Sequence, residues 1–178
     1  MTTGDYNTAV GARALYTEDV GRFTTAIGYQ AGYHQNSDSN DEDTGNTLLG
    51  ASVGFYNVTG INNTLIGRQA GNGASGNSHN NNTAVGYRSM YSIGTGGNNV
   101  AMGASAMYGG VGAANQVAIG TEALYSATSG LANVAVGYRA AKALGNAENE
   151  NIAIGYHTMY LMDEGSGANV DENIAIGS

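Results

Sequence analysis

The chain has 178 residues, with 29 Gly and no Cys, Pro or Trp, and it carries a formal net charge of −8. The absence of Cys excludes a disulfide framework and thiol chemistry, and six Lys and Arg against 14 Asp and Glu leave no electrostatic footprint for nucleic acid. Leu, Ile, Val and Phe number only 30, a content that at this charge ordinarily leaves a chain disordered, and no run of 18 apolar residues is present to insert into a membrane.

Periodicity overrides that composition. From the N-terminus, a unit of the form N-x-A-x-G closes at Gly11, Gly28, Gly50, Gly67, Gly86, Gly103, Gly120, Gly137, Gly155 and Gly177. The commonest spacing is 17 residues, and the longest, 22, precedes Gly50 and Gly177. Insertions that leave the motif intact belong in loops, so the chain is expected to be one repeat domain over 1–178. "MTTGDYN" at the start resembles the Thr/Ser-Gly turns that precede later copies, is polar rather than signal-like, and Ser178 follows the tenth glycine directly. Both ends fall inside a repeat, as expected for a piece of a longer fibre.

Each unit alternates with the period of a strand. One face carries Thr8 and Val10, Thr83 and Val85, Val100 and Met102, Val117 and Ile119, Ile152 and Ile154; the other carries Asn, Ala and Gly, as in Asn82, Ala84 and Gly86. The central residue is Ala in eight copies and Leu48 or Leu65 in the other two, so both faces are expected to be buried, with the large aliphatics filling the interior. After the glycine, a second short strand is expected. Its fifth position is aromatic in Tyr16, Tyr33, Phe55, Tyr91, Tyr108, Tyr125 and Tyr160, and its first is Tyr29, Tyr87, Tyr138 or Tyr156. Such columns suit a parallel stack, in which like residues form ladders at about 4.8 Å. The frequent Gly, Asn, Ser and Thr exclude helices, and no six-residue echo supports a triangular hexapeptide coil.

The motifs "NTAVG", "NVAVG", "NIAIG" and "QVAIG" resemble the head repeats of trimeric autotransporter adhesins, the YadA-like family, and the 17-residue form "NTAVGYRSMYS" is similar to repeat arrays in phage tail fibres. The likeness spans Asn7 to Gly177. It implies an all-β, left-handed parallel β-roll or β-solenoid of about 17 residues per coil and ten coils, assembled as a homotrimer. The departures are Thr24 and Gln116 in place of Asn, Leu48 and Leu65 in place of Ala, and "GNG" after Ala70 where an aromatic is expected. In such a trimer one strand face fills the coil while the other packs on neighbouring copies, and the small Ala and Gly permit close approach.

Chemistry-bearing residues are few. His34, His79 and His157 occupy different repeat positions without ligand spacing, and are expected at the surface. No Ser/His/Asp grouping is present, and "GTGGNN" at Gly94 lacks the Lys and helix of a phosphate loop. Asp38, Asn40, Asp41 and Asp43, with Glu42, offer clustered hard oxygens that could hold Ca²⁺, as do Asp163, Glu164, Asp171 and Glu172, although neither loop has the spacing of a known calcium motif. Arg88 and Arg139, beside Tyr87 and Tyr138, are candidates for contact with a glycan.

The expected function is a non-enzymatic fibre segment of a phage tail or virion appendage that serves host attachment. Its partners would be other copies of itself, neighbouring fibre or virion segments, and a cell-surface glycan or protein receptor, with no nucleic acid and no membrane insertion. The alternative is the head of a bacterial adhesin at the cell surface. A glycan-cleaving tailspike would need paired carboxylates in a groove. An ice-binding solenoid is suggested by Thr8, Thr25, Thr47, Thr64 and Thr83, but that column continues as Val100, Val117, Val134, Ile152 and Ile174.

Overall fold

A computed structural model describes residues 4–38, 42–144, 148–162 and 171–178. The fold is all-β, a parallel β-solenoid of about 17 residues per turn. Its strands are β1 (Thr8–Val10), β2 (Thr25–Ile27), β3 (Thr47–Leu49), β4 (Thr64–Ile66), β5 (Thr83–Val85), β6 (Val100–Met102), β7 (Val117–Ile119), β8 (Val134–Val136), β9 (Ala143–Leu144), β10 (Ile152–Ile154), β11 (Leu161–Met162) and β12 (Ile174–Ile176). All but β9 and β11 form one parallel ten-stranded sheet in chain order, and β9 pairs with β11. Like residues lie opposite one another: Val85 pairs with Met102, Met102 with Ile119 and Ile119 with Val136. The long insertions do not disturb this register, since Thr25 pairs with Thr47 and Ile152 with Ile174.

The two strand faces are the reverse of the expectation that large aliphatics fill the coil. Inside lie the central residues Ala26, Leu48, Leu65, Ala84, Ala101, Ala118, Ala135 and Ala153, all buried. Outside lie the flanking Thr, Val, Ile, Leu and Met residues, half-exposed or exposed. A three-residue strand bounded by an inward Asn and a glycine turn has one inward position left between them, and the interior is too narrow for more than a small side chain opposite another wall.

That opposite wall explains the two Leu copies. The fourth residue after the motif glycine points inward, as Leu15, Met90, Met107 and Leu124, all buried. In the coils where Leu48 and Leu65 replace Ala, it is Gly54 and Gly71. A Cβ on Gly54 would lie 3.1 Å from Leu48 Cδ2 and 3.3 Å from Leu65 Cδ1, and one on Gly71 would lie 2.6 Å from Leu65 Cδ1. Large and small exchange walls, so the core stays filled.

Among the described residues no regular second strand follows the glycine. Apart from β9 and β11, the described residues there form turns. The second residue after the glycine has positive φ in every described coil, from Arg13 (59°) to His157 (56°), and the fourth does too, as in Leu15 (48°) and Met107 (50°). This left-handed alternation bends the chain inward where a strand would run straight. Rungs still hydrogen-bond through the turns: Leu15 N–H donates to Ala31 O at 2.9 Å and Met107 N–H to Ala123 O at 2.8 Å.

The motif asparagines bind the coils together. Asn99 is buried; its Oδ1 accepts the Gln116 N–H at 3.0 Å, its Nδ2 crosses the coil to Ala113 O at 2.8 Å, and its own N–H donates to Asn82 Oδ1 at 3.0 Å. The pattern repeats from Asn46 through Asn63 and Asn82, and again from Asn133 through Asn151 to Asn173. Gln116 interrupts it. Its longer side chain reaches Gly130 O, but its Oε1 is buried with no partner. Thr24 departs differently: Gln35 Nε2 donates to Thr24 Oγ1 at 2.9 Å and Gln35 Oε1 accepts from Asn46 Nδ2 at 3.0 Å, so Gln35 bridges the missing rung.

Two outcomes follow. Gln116→Asn returns the acceptor to its rung and should stabilise the protein by about 1 kcal/mol in chemical denaturation. Gly103 has φ 135°, and a Cβ there would lie 2.6 Å from the Gly120 carbonyl oxygen; Gly103→Ala should cost at least about 2 kcal/mol in the same measurement.

Candidate functional site

Two outer surfaces have organised side chains. The first is the outward face of the ten-stranded sheet. Two parallel columns run along it: Thr8 through Thr83 continuing as Val100 to Ile174, and Val10 through Val85 continuing as Met102 to Ile176. Leu49 and Met102 are each 44% exposed and Ile119 is 39% exposed, large values for residues flanked by strands on both sides. No charged side chain interrupts the columns.

The second surface is the wall of aromatic rings. Tyr16, Tyr33 and Phe55 stack with centroids 5.1 Å apart at each step, and Tyr91, Tyr108 and Tyr125 stack at 5.1 and 4.9 Å. The ladders expected from the fifth position are therefore present, and each contact contributes about 1 kcal/mol beyond the area it buries. The first-position column stacks as Tyr138 on Tyr156 at 5.3 Å.

The arginines proposed for a glycan lie on this wall, already engaged. Arg88 Nε donates to Gln69 Oε1 at 2.9 Å, and its guanidinium lies over Tyr87 at 5.1 Å and Tyr91 at 5.2 Å. Arg139 lies over Tyr138 at 4.8 Å and pairs with Glu122 at 2.8 Å, as does Lys142 at 2.7 Å. The Lys142 hydrogen bond leads in holding the Glu122 carboxyl below its usual range, with Arg139 adding to it. The half-exposed position of these groups keeps the stabilising effect small. The structure brings Arg88 to Tyr87 and Arg139 to Tyr138 but keeps the two pairs three rungs apart.

Of the calcium candidates, Asp43 pairs with Arg22 at 2.7 Å, and the Asp38 N–H donates to Glu42 Oε2 at 3.3 Å. Asn40, Asp41, Asp163 and Glu164 lie outside the described residues. Asp171 Oδ1 accepts the Asn149 N–H at 2.6 Å, and Glu172 has φ 59°. Among the described residues no three His, Asp or Glu side chains gather as a metal site would require.

The histidines are not a surface set. His79 is wholly buried: Nε2 lies 3.3 Å from Gly71 O, and Nδ1 lies 3.4 Å from Asn82 Nδ2 and 3.3 Å from Asn63 Oδ1. The neutral tautomer with the proton on Nε2 donates to Gly71 O and accepts from Asn82. Burial pushes the imidazole down to about 4, against an upward pull from the Gly71 carbonyl. Its repeat position was the signal in the sequence: three residues before the motif Asn stand the small Gly60, Gly96, Ala113 and Gly130, although Asp43 and Glu148 hold the same position in two other copies. His34 stacks on Tyr56 at 5.2 Å, and half-buried His157 stacks on Tyr156 at 4.3 Å and Tyr160 at 4.7 Å.

Glu18 is also buried. Burial pushes its carboxyl up, but hydrogen bonds from Gly21 N–H, the Gln35 amide, Ser37 N–H and Val20 N–H outweigh this and hold it below the usual range. It is an ionised anchor for an inner turn.

Set against family models, curated proteins and solved structures, the chain matches none.

The buried titratable groups generate a pH prediction. His79 titrates near 6.5 in the unfolded chain and about 4 in the folded one, so the unfolded state binds more protons between those values. Stability should fall by roughly 3 kcal/mol as pH drops across that window. Glu18, whose folded carboxyl lies below its unfolded 4.5, contributes stability above that value and loses it at lower pH. Urea denaturation of His79→Gln should lack the upper part of this fall.

Proposed function

We propose that the chain is a segment of a homotrimeric fibre, a left-handed β-roll of ten coils that gives reach and rigidity to attachment of a phage tail fibre or virion appendage to its host. The reading is non-enzymatic. The outward, uncharged face of the sheet, with its exposed Val, Ile, Leu and Met column, carries it. Nine inter-strand steps make that face about 43 Å long, and at about 10 Å wide its uncharged surface, Thr included, covers roughly 430 Å², within the range of a few hundred Å² in which exposed patches often serve association. A three-fold arrangement around this face would cover the Val, Ile, Leu and Met column while leaving the aromatic wall outside.

The contact assigned here differs from the Ala and Gly face suggested by side-chain size, because those residues are used inside the coil. The resemblance to YadA-like heads and tail-fibre arrays supports a trimer over other symmetries. The register-true stacking of the strands supports a spacer, because each coil adds a fixed advance along one axis.

Native mass measurement tests the assembly. Three chains of 18.1 kDa should give about 54 kDa, and a stable monomer would refute the trimer. The double variant Met102→Glu with Ile119→Glu should be monomeric with an unchanged circular dichroism spectrum, since both residues lie outside the coil. Ala118→Arg, aimed into the coil, should instead abolish folding.

A further inference from the structure

The aromatic ladder has two missing rings, and they are treated differently. At the fifth position after Gly137 stands Lys142, whose Nζ lies 5.3 Å from the Tyr125 ring and 5.9 Å from the Tyr160 ring. That interruption is bridged by an ammonium between two aromatic faces. At the fifth position after Gly67 stands Asn72, which is buried against the wall, its Nδ2 donating to Ser52 O at 3.2 Å. Asn72 is too short to reach the ring layer. A cavity of about 230 Å³ opens there, lined by Phe55, Tyr56, Tyr91, Gln30, Ser52, Gln69 and Asn72.

The geometry of this slot follows from the ladder. Phe55 ends one stack and Tyr91 begins the next, so the rings stand two rungs apart, roughly 10 Å. A ring placed midway would lie about 5 Å from Phe55, the spacing the protein's own stacked rings adopt, and on the Tyr91 side it would share the ring with the Arg88 guanidinium, 5.2 Å from the Tyr91 centroid. The space holds one ring-sized group.

The lining selects its chemistry. A cation would repeat the Lys142 arrangement, but the Arg88 guanidinium already lies over Tyr91 and bonds Gln69 at the rim, and would repel a second positive charge. A plain aromatic ring would present an apolar edge to Gln30, Ser52, Gln69 and Asn72. A pyranose satisfies both conditions: its C–H faces pack on aromatic rings, and its equatorial hydroxyls donate to and accept from amides and hydroxyls. We propose that the slot at Asn72 is a binding site for a single pyranose ring of a glycan. It is built within one chain and on a different face from the sheet, so it stands independently of the trimer.

The test uses the purified chain and the methyl pyranosides of glucose, galactose, mannose and N-acetylglucosamine, followed by saturation-transfer NMR. At least one should bind saturably, with transfer to its ring C–H protons. Asn72→Tyr supplies the missing ring and should abolish that binding with a melting temperature equal to or above the parent's. Gln69→Ala leaves the slot open and should weaken binding about tenfold, as loss of one well-placed hydrogen bond does. Failure of all four sugars to bind, binding that Asn72→Tyr leaves unchanged, or preferential binding of benzyl alcohol at the slot would each overturn the assignment.

Discussion

The buried asparagine ladder is the interaction on which the other features depend. Each amide accepts from the backbone of the next coil and donates across its own coil to a loop carbonyl, so it fixes both the stacking distance and the width of the turn. A solenoid of three-residue strands has little sheet to hold it and, with so few aliphatics, little hydrophobic area. Satisfied polar groups in a dry interior substitute for both, because an amide that loses its partners there costs about 1–3 kcal/mol. The repairs show how strict the requirement is. Where Thr24 replaces Asn, Gln35 enters from another wall to complete the network, whereas Gln116 leaves an oxygen orphaned.

Around the ladder the interior is a narrow slit, and its narrowness decides which residues face where. Ala occupies the strand wall and Leu or Met the turn wall in several coils; Leu48 and Leu65 meet Gly54 and Gly71, Ala135 is matched by Ala141, and the small Ala26 and Gly32 share a coil into which Leu15 and Leu48 reach from either side. Left-handed residues at two fixed positions after each glycine make the turn wall possible. They also place the following aromatics outward, in line, at the rung spacing. A core this narrow, lined by Ala on the strand wall in most coils, leaves no room for the remaining large aliphatics, which stand on the outer face of the sheet.

The proposed trimer and the proposed sugar slot thus use different by-products of one coil geometry. The sheet face is continuous and uncharged, with one column apolar throughout and the other passing from Thr to Val and Ile, suited to another copy of the same surface. The aromatic wall is periodic and amphipathic, and it acquires a specific feature only where the period fails. Asn72 and Lys142 occupy the same repeat position, yet the long ammonium side chain bridges its neighbours and the short amide does not.

The period, the parallel register, the aromatic ladders and the harmlessness of the insertions were legible in the sequence, because each is a statement about which residues recur at the same position, and stacking by translation maps recurrence directly onto contact. Tertiary structure alone decided direction. Alternation separates two strand faces without saying which is inside, and Val or Ile outside with Ala inside became apparent only when the opposite wall, with Leu15, Met90 and Leu124, was in place. The burial of His79 and Glu18, the bridging role of Gln35 and the slot at Asn72 likewise depend on distances between walls of the coil. A one-dimensional repeat carries the identity of each position, but the space between facing positions is set by the turns that close the coil.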